Sequence, residues 1–194
     1  MSATNPQFIL RAAHAGDIPA LHELIACSVH GLMTSAYTER QLQAALGTWL
    51  GVDSRLVEDG TYFIVEAIDN GTRIPVACGG WSKRNTPYGS DHRPGRDDAL
   101  LDPAVDAARI RAFFVHPNWA RRGLGAMILR HCERVALDAG FRRCEMGATL
   151  SGVPFYRSHG YHSAEQIDLP LPSGDTLPIL KMTKELACTG SDRK

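Results

Sequence analysis

Six consecutive residues, Arg121-Arg122-Gly123-Leu124-Gly125-Ala126, stand between a short β-branched and aromatic run (Arg109–Val115) and a long stretch of helical periodicity. Glycines at 123 and 125 carry no side chain to keep a ligand off the backbone. The first turn of a helix leaves about four N–H groups without partners. Together with the helix dipole and two adjacent guanidiniums, those amides make a cradle for a pyrophosphate-like anion. A glycine-rich helix start that merely packs tightly is the competing reading of Gly-x-Gly alone. A dinucleotide-binding loop requires a third glycine, but Ile128 stands there, and a P-loop requires Gly-Lys-Ser/Thr, which is missing.

The elements that must hold this segment follow from periodicity and turn chemistry. Phe8–Arg11 reads as a first strand. Asp17 caps a helix with Pro19 in its first turn and an apolar face of Ile18, Leu21 and Ile25, closed by Gly31. Thr38-x-x-Gln41 has capping-box spacing and opens a second helix, with a stripe of Leu42, Ala45, Leu46 and Trp49 and Gly51 at its end. Thr61–Ile68 and Ile74–Lys83 are strands joined by the turn signal Asp69-Asn70-Gly71, and Gly79-Gly80 marks a bulge or a close backbone approach. Arg84–Asp106 is a long polar surface loop. After the strand Arg109–Val115 comes a helix over Arg122–Ala139, a strand within Phe141–Leu150, and a short helix over Ser151–His159. Two final strands lie at Glu165–Leu171 and Leu177–Thr183, followed by a frayed tail at 189–194. This order predicts α/β with a mixed sheet.

At about 150 residues per domain, 194 residues make one domain, spanning 1–194. Lys+Arg 21 balances Asp+Glu 21, so the chain lacks the positive surplus that non-specific nucleic-acid binding requires. No apolar run approaches the roughly 20 residues of a membrane span, and the N-terminus does not read as a secretory signal. The five cysteines are scattered without a Cys-x-x-Cys pair, and the eight histidines show no ligand spacing. The expectation is a cytoplasmic protein with reduced thiols and no metal site.

Val115-His116-Pro117-Asn118-Trp119-Ala120-Arg121-Arg122-Gly123-Leu124-Gly125-Ala126 resembles the acetyl-CoA signature of the GNAT superfamily of N-acetyltransferases, Gln/Arg-x-x-Gly-x-Gly/Ala. Phe155-Tyr156-Arg157-Ser158-His159-Gly160-Tyr161 resembles the second signature, Phe-Tyr-x-x-x-Gly-Phe. Ala120 departs from the first, because Gln or Arg is frequent there. The order of elements agrees over roughly Phe8 to Lys184. The resemblance implies a mixed, mostly antiparallel sheet flanked by helices, with a V-shaped splay between the strands Arg109–Val115 and Phe141–Leu150. It implies that a pantetheine arm pairs with the backbone of Phe113, Phe114 and Val115. The amides of Arg121, Arg122, Gly123, Leu124, Gly125 and Ala126 would hold the pyrophosphate, and Thr149 would touch the arm.

The implied reaction moves an acetyl group from acetyl-CoA to an amine, of a small molecule or a protein, by direct attack in a ternary complex. An N–H near Phe114 or Val115 would meet the oxyanion, and Tyr156 would protonate the leaving thiolate. Some relatives place a glutamate early on the strand before the signature, where this chain has Arg109. Strand alternation puts Arg109, Arg111, Phe113 and Val115 on one face, and the two arginines would bind an anionic group of the acceptor or simply face solvent. Glu145 and His30 are the remaining candidate bases. The segment His30–Tyr37 would meet the acceptor, with His30 and Tyr37 as contacts. Many relatives dimerise, so a homodimer is allowed. The alternative function is a non-catalytic acyl-CoA sensor of the same fold. The sequence names neither the acceptor, the base nor the acyl length.

Overall fold

β2 (Tyr62–Asp69) is rich in β-branched and aromatic residues, and its first six residues are buried. Such a strand needs apolar cover on both faces, and it has it. In the computed structural model, which describes residues 6–69 and 71–187, β2 pairs with β1 (Gln7–Ala12) and β3 (Thr72–Ser82) on its two edges. β3 continues to β4 (Ala108–Val115), β5 (Arg143–Thr149) and the hairpin β6 (His162–Pro170) and β7 (Thr176–Glu185). The order is β1-β2-β3-β4-β5-β7-β6, antiparallel throughout except for β4 beside β5. The hairpin turn expected at Asp69-Asn70-Gly71 joins a register in which Asp69 faces Thr72, although Asn70 itself lies outside the described residues. So does the tail at 189–194.

Helix α4 (Leu124–Asp138) covers one face, packing Ile128, Leu129, Cys132 and Ala136 against Val65, Ala77, Ile110 and Met146. The helices α1 (Ile18–Leu32), α2 (Glu39–Ala45) and α3 (Ser54–Glu58) cover the other, where Leu21, Ile25, Leu42 and Leu56 meet Tyr62, Ile64 and Phe114. Burying these sets stabilises the fold by roughly 1.5–3 kcal/mol for each large apolar side chain.

The splay is real and has a local cause. Only Ala108↔Cys144 and Arg109↔Glu145 pair across β4 and β5, after which the strands part. At the same point β4 bulges against β3, with Ala112 at φ 53 and a register break opposite Gly79. Both glycines anticipated there are required. A Cβ on Gly79 would stand 2.7 Å from the Phe113 ring, and one on Gly80 would stand 2.5 Å from the Thr61 carbonyl. The extra residue reverses the alternation. Ile110, Phe113 and Val115 join the α4 side, whereas Ala112 and Phe114 join the other. The expected shared face of Arg109, Arg111, Phe113 and Val115 is therefore incorrect.

Three helix expectations also change. Asp17 does not cap α1 with its side chain. Its carboxylate instead takes two hydrogen bonds from Arg11 (2.7 and 2.8 Å) and one from the His14 N–H. The capping box of Thr38 and Gln41 forms, but α2 stops at Ala45 because Leu46 is extended and Gly47 is left-handed at φ 81. Leu46 and Trp49 thus reach the core from a loop. Gly31 does not end α1. It lies within the helix where a Cβ would come 2.2 Å from Pro117, at the start of the connection from β4 to α4. Gly31→Ala is expected to cost about 1–3 kcal/mol through overpacking, read as a lowered denaturation midpoint with unchanged slope.

Candidate active site

The segment between β4 and α4 is wound by two left-handed residues, Arg121 at φ 63 and Gly123 at φ 79. Such alternation turns successive amides to one side and makes a concave anion site. The six N–H groups of Arg121–Ala126 have no acceptor among the described residues, and the first return bond runs from Met127 N–H to the Gly123 carbonyl. The two glycines serve different ends. Gly123 supplies the backbone conformation and has open space around it, whereas a Cβ on Gly125 would sit 3.2 Å from the Phe155 ring. The tight-packing reading thus applies to Gly125 without removing the cradle. Arg122 turns away from the cleft and stacks over Trp119 at 4.7 Å, so its charge acts from the rim.

From this cradle a cleft of about 810 Å³ runs between the diverging strands to the opposite face of the sheet. Phe113, Phe114, Val115, Arg121, Gly123, Leu124, Gly125, Ala126 and Thr149 all line it. The ladder divides the three strand residues. His116 N–H bonds the Val76 carbonyl at 2.9 Å and Phe114 sits opposite Cys78, so Phe114 turns its amide toward β3. Val115 N–H points the other way but donates to Ser28 Oγ at 3.2 Å. Neither amide is free for an oxyanion, contrary to expectation.

Tyr156, on α5 (Val153–Ser158), is 8% exposed and lines the cleft at the fork. Its ring is fixed edge-on by Phe113, Phe155 and Tyr161, with centroids 6.2, 5.0 and 5.9 Å away. Burial pushes the phenol well above its ordinary range, so the hydroxyl stays protonated at neutral pH.

The far end of the cleft is built in part by the expected acceptor segment, through Leu32 and Met33, and otherwise by residues that the sequence did not single out for the site. Leu32 and Met33 come from the end of α1, Trp49, Leu50 and Gly51 from the loop after α2, and Pro87, Tyr88 and Gly89 from the segment between β3 and β4. That segment is more than a surface loop, since Thr86 and Ser90 are buried and it forms one wall. Tyr88 packs closely on the bare backbone of Gly147, where a Cβ would stand 2.8 Å from its ring.

What holds this wall is Arg111. Its guanidinium donates to the Thr86 and Gly89 carbonyls (2.7 and 2.8 Å) and pairs with Asp53 at 2.6 Å. Asp53 is fully buried and also takes Arg96 at 2.7 Å. Burial pulls the Arg111 guanidinium down to about 10, still charged at neutral pH. Arg111 lines the cleft, but its donors are committed to the protein and not to an acceptor. The other expected acceptor contacts are elsewhere. Arg109 pairs with Glu145 beside a smaller hollow of about 420 Å³ on the other side of Tyr88. Glu145 is further held by Lys181 at 3.6 Å. His30 contacts Glu39 at 3.3 Å, outside the cleft. The Tyr37 hydroxyl is a strut, donating to the Pro178 carbonyl at 2.7 Å and accepting from Leu150 N–H at 2.8 Å. Among the described residues no Asp or Glu lines the cleft.

Residues 22–161 match the acetyltransferase (GNAT) family. The chain belongs to that family. It is an acyltransferase by that membership, and its GNAT signatures fall on the cradle and on α5. No curated protein matches the sequence. Among solved structures, a GCN5-related N-acetyltransferase from Rhodopseudomonas palustris, described as an aminotransferase, class II, is similar with a TM-score of 0.65 at 20% identity. The match covers 96% of this chain and 99% of that one. PaiA N-acetyltransferase from Thermoplasma acidophilum, solved in complex with coenzyme A, gives a TM-score of 0.60 at 11% identity, covering 92% and 99%. At such identities the likeness is one of fold, the seven-stranded GNAT sheet with its splay. Among the described residues this GNAT chain has no group of three or more His, Cys, Asp or Glu placed to hold a metal, and no helix long and apolar enough to cross a membrane. Cys27, Cys78, Cys132 and Cys144 are free thiols.

Proposed function

We propose that the protein transfers an acetyl group from acetyl-CoA to the nitrogen of an amine, by direct attack within a ternary complex. The observation that carries this is the run of six unclaimed amides at Arg121–Ala126 opening into a through-going cleft beside a buried, protonated phenol. The amides hold the pyrophosphate. The pantetheine arm lies in the gap between β4 and β5, where the backbone of Val115 and the side chain of Thr149 face it. Tyr156 protonates the departing thiolate. A thiol is the stronger acid, with an ordinary pKa near 8.5 against about 10 for a phenol, so the phenol gives up its proton only as the C–S bond breaks and charge builds on sulfur. The coenzyme A bound by the Thermoplasma acidophilum relative supports the choice of donor.

Calorimetry with acetyl-CoA, followed by thiol release with an amine panel, tests this reading. Saturable binding with amine-dependent release is the expected result. Binding without release from any amine would favour the sensor, and no binding would end both. Gly125→Glu places a carboxylate among the cradle amides and displaces Phe155. It is expected to weaken acetyl-CoA binding at least about 100-fold, the scale of an uncompensated charge in an interface. Gly125→Ala, which asks Phe155 to move only slightly, should retain binding.

A further inference from the structure

We infer that the acceptor is a weakly basic aromatic amine, uncharged at neutral pH, seated against the edge of the Trp49–Tyr88 pair, whose centroids lie 6.1 Å apart; this rests on the acyl-transfer reading above. The acceptor end of the cleft is apolar and aromatic, walled by Leu32, Met33, Trp49, Leu50, Tyr88 and Phe114. No Asp or Glu among the described residues lines the cleft anywhere. The nearest candidates are spoken for. Asp53 is sealed beneath Arg111 and Arg96, and Glu145 is bound by Arg109 and Lys181 in the neighbouring hollow. The one imidazole among the described residues that lines the cleft, His159, sits at its α5 end against Phe155, with Nδ1 2.8 Å from the Phe155 carbonyl, so the acceptor end itself presents no group that takes a proton from an ammonium or offsets its charge.

Arg93 adds a second, independent argument. Its guanidinium carbon lies 5.7 Å from the Trp49 ring centroid and 5.5 Å from that of Tyr88. Its hydrogen bonds go to the carbonyls of Tyr88, Pro94 and Gly95, with no carboxylate partner among the described residues. The electron-rich rings that would otherwise attract a cation already carry one, and a second meets repulsion. A lysine-like amine, with a pKa of about 10.4, is neutral to only about one part in 10³ at pH 7. An arylamine spreads its lone pair into the ring, stays uncharged at that pH, and stacks.

The proton balance closes without a base. The neutral nitrogen attacks the thioester carbonyl carbon, so a C–N bond forms as the C–S bond breaks. Tyr156 passes its proton to sulfur, and the nitrogen, cationic in the adduct, returns one to the phenolate directly or through water. Amine and thioester become amide and thiol, with no proton released. An ammonium substrate would have to shed one more proton, for which the acceptor end of the cleft offers neither a carboxylate nor an imidazole among the described residues.

Para-toluidine and benzylamine are isomers of similar size that differ in basicity, and they provide the test. Acetylated product is measured by mass spectrometry and thiol release between about pH 6 and pH 8 on the intact protein, with acetyl-CoA binding followed by calorimetry. The expected result is a kcat/KM for para-toluidine at least about tenfold above that for benzylamine at pH 7, and flat with pH. Any benzylamine turnover should rise about tenfold per pH unit. Tyr88→Ala should raise KM for para-toluidine about tenfold, the scale of one aromatic contact, and leave acetyl-CoA affinity unchanged. A preference for benzylamine, a polyamine or a peptide amine at pH 7 would overturn the inference, as would failure to acetylate any arylamine while acetyl-CoA binds. Those outcomes leave acyl transfer to another acceptor standing. Loss of acetyl-CoA binding itself would remove the acyl-transfer reading and this one together.

Discussion

Tyr156→Phe is expected to lower kcat by about 10²- to 10⁴-fold, the usual contribution of a positioned general acid, or about 3–5 kcal/mol of barrier. The substitution removes one oxygen and leaves the ring held edge-on by Phe113, Phe155 and Tyr161, so folding and the cradle are undisturbed. Affinity for acetyl-CoA should therefore hold while turnover falls. The pH profile supplies a second reading. Because burial raises the Tyr156 pKa, the phenol remains protonated throughout the neutral range, and loss of the acid form should cause no fall in kcat up to its ordinary pKa of 10. Unchanged turnover in the Phe variant, or a wild-type kcat that declines between about pH 7 and pH 9 in step with a phenol, would remove Tyr156 from the reaction.

The second large effect is on stability. Asp53→Ala strips the carboxylate partner from Arg111, which is only 3% exposed, and takes one carboxylate from Arg96, which keeps Asp98 at 2.9 Å. Removing one member of a buried pair leaves the other charge uncompensated and costs about 3–5 kcal/mol, a large share of the roughly 5–15 kcal/mol that holds an ordinary domain together. A fall in Tm on the order of 10 °C follows for a chain of this size. The same change should loosen Thr86–Gly89, because Arg111 ties their carbonyls, so acceptor KM should rise more than the Kd for acetyl-CoA. Combining Asp53→Leu with Arg111→Met removes both charges and should recover much of the lost stability. A double variant as unstable as the single one would show that the pair's hydrogen bonds, and not the stranded charge, carry the effect.

Much of the cradle was legible in the sequence because its signals are local. The Gly-x-Gly opening a helix, the paired signatures around Arg121–Ala126 and Phe155–Tyr161, and the capping box at Thr38 each depend on residues within a turn or two of one another. The strands were found for the same reason, since period-2 and β-branched runs need no knowledge of the partner strand. Gly79-Gly80 advertised a bulge, but the sequence did not show that the extra residue would fall at Ala112 of the neighbouring strand. That single insertion reversed the faces of β4, and every side-chain assignment based on simple alternation past it was lost.

The sequence by itself determined the family, the order of elements apart from the short helix α3, and the two motifs on which the proposed anion cradle and phenol rest, all of them contiguous stretches whose local structure is set by near neighbours. Only the tertiary structure decided what the acceptor end is made of. Its walls come from α1, the loop after α2 and the long segment before β4, and which of their side chains meet depends on contacts between distant parts of the chain. The arginines show the difference most clearly. In the sequence Arg109 and Arg111 are charges free to bind a ligand, whereas in the fold each is neutralised by a carboxylate, Asp53 lying 58 residues from Arg111, because a guanidinium taken out of water requires a partner.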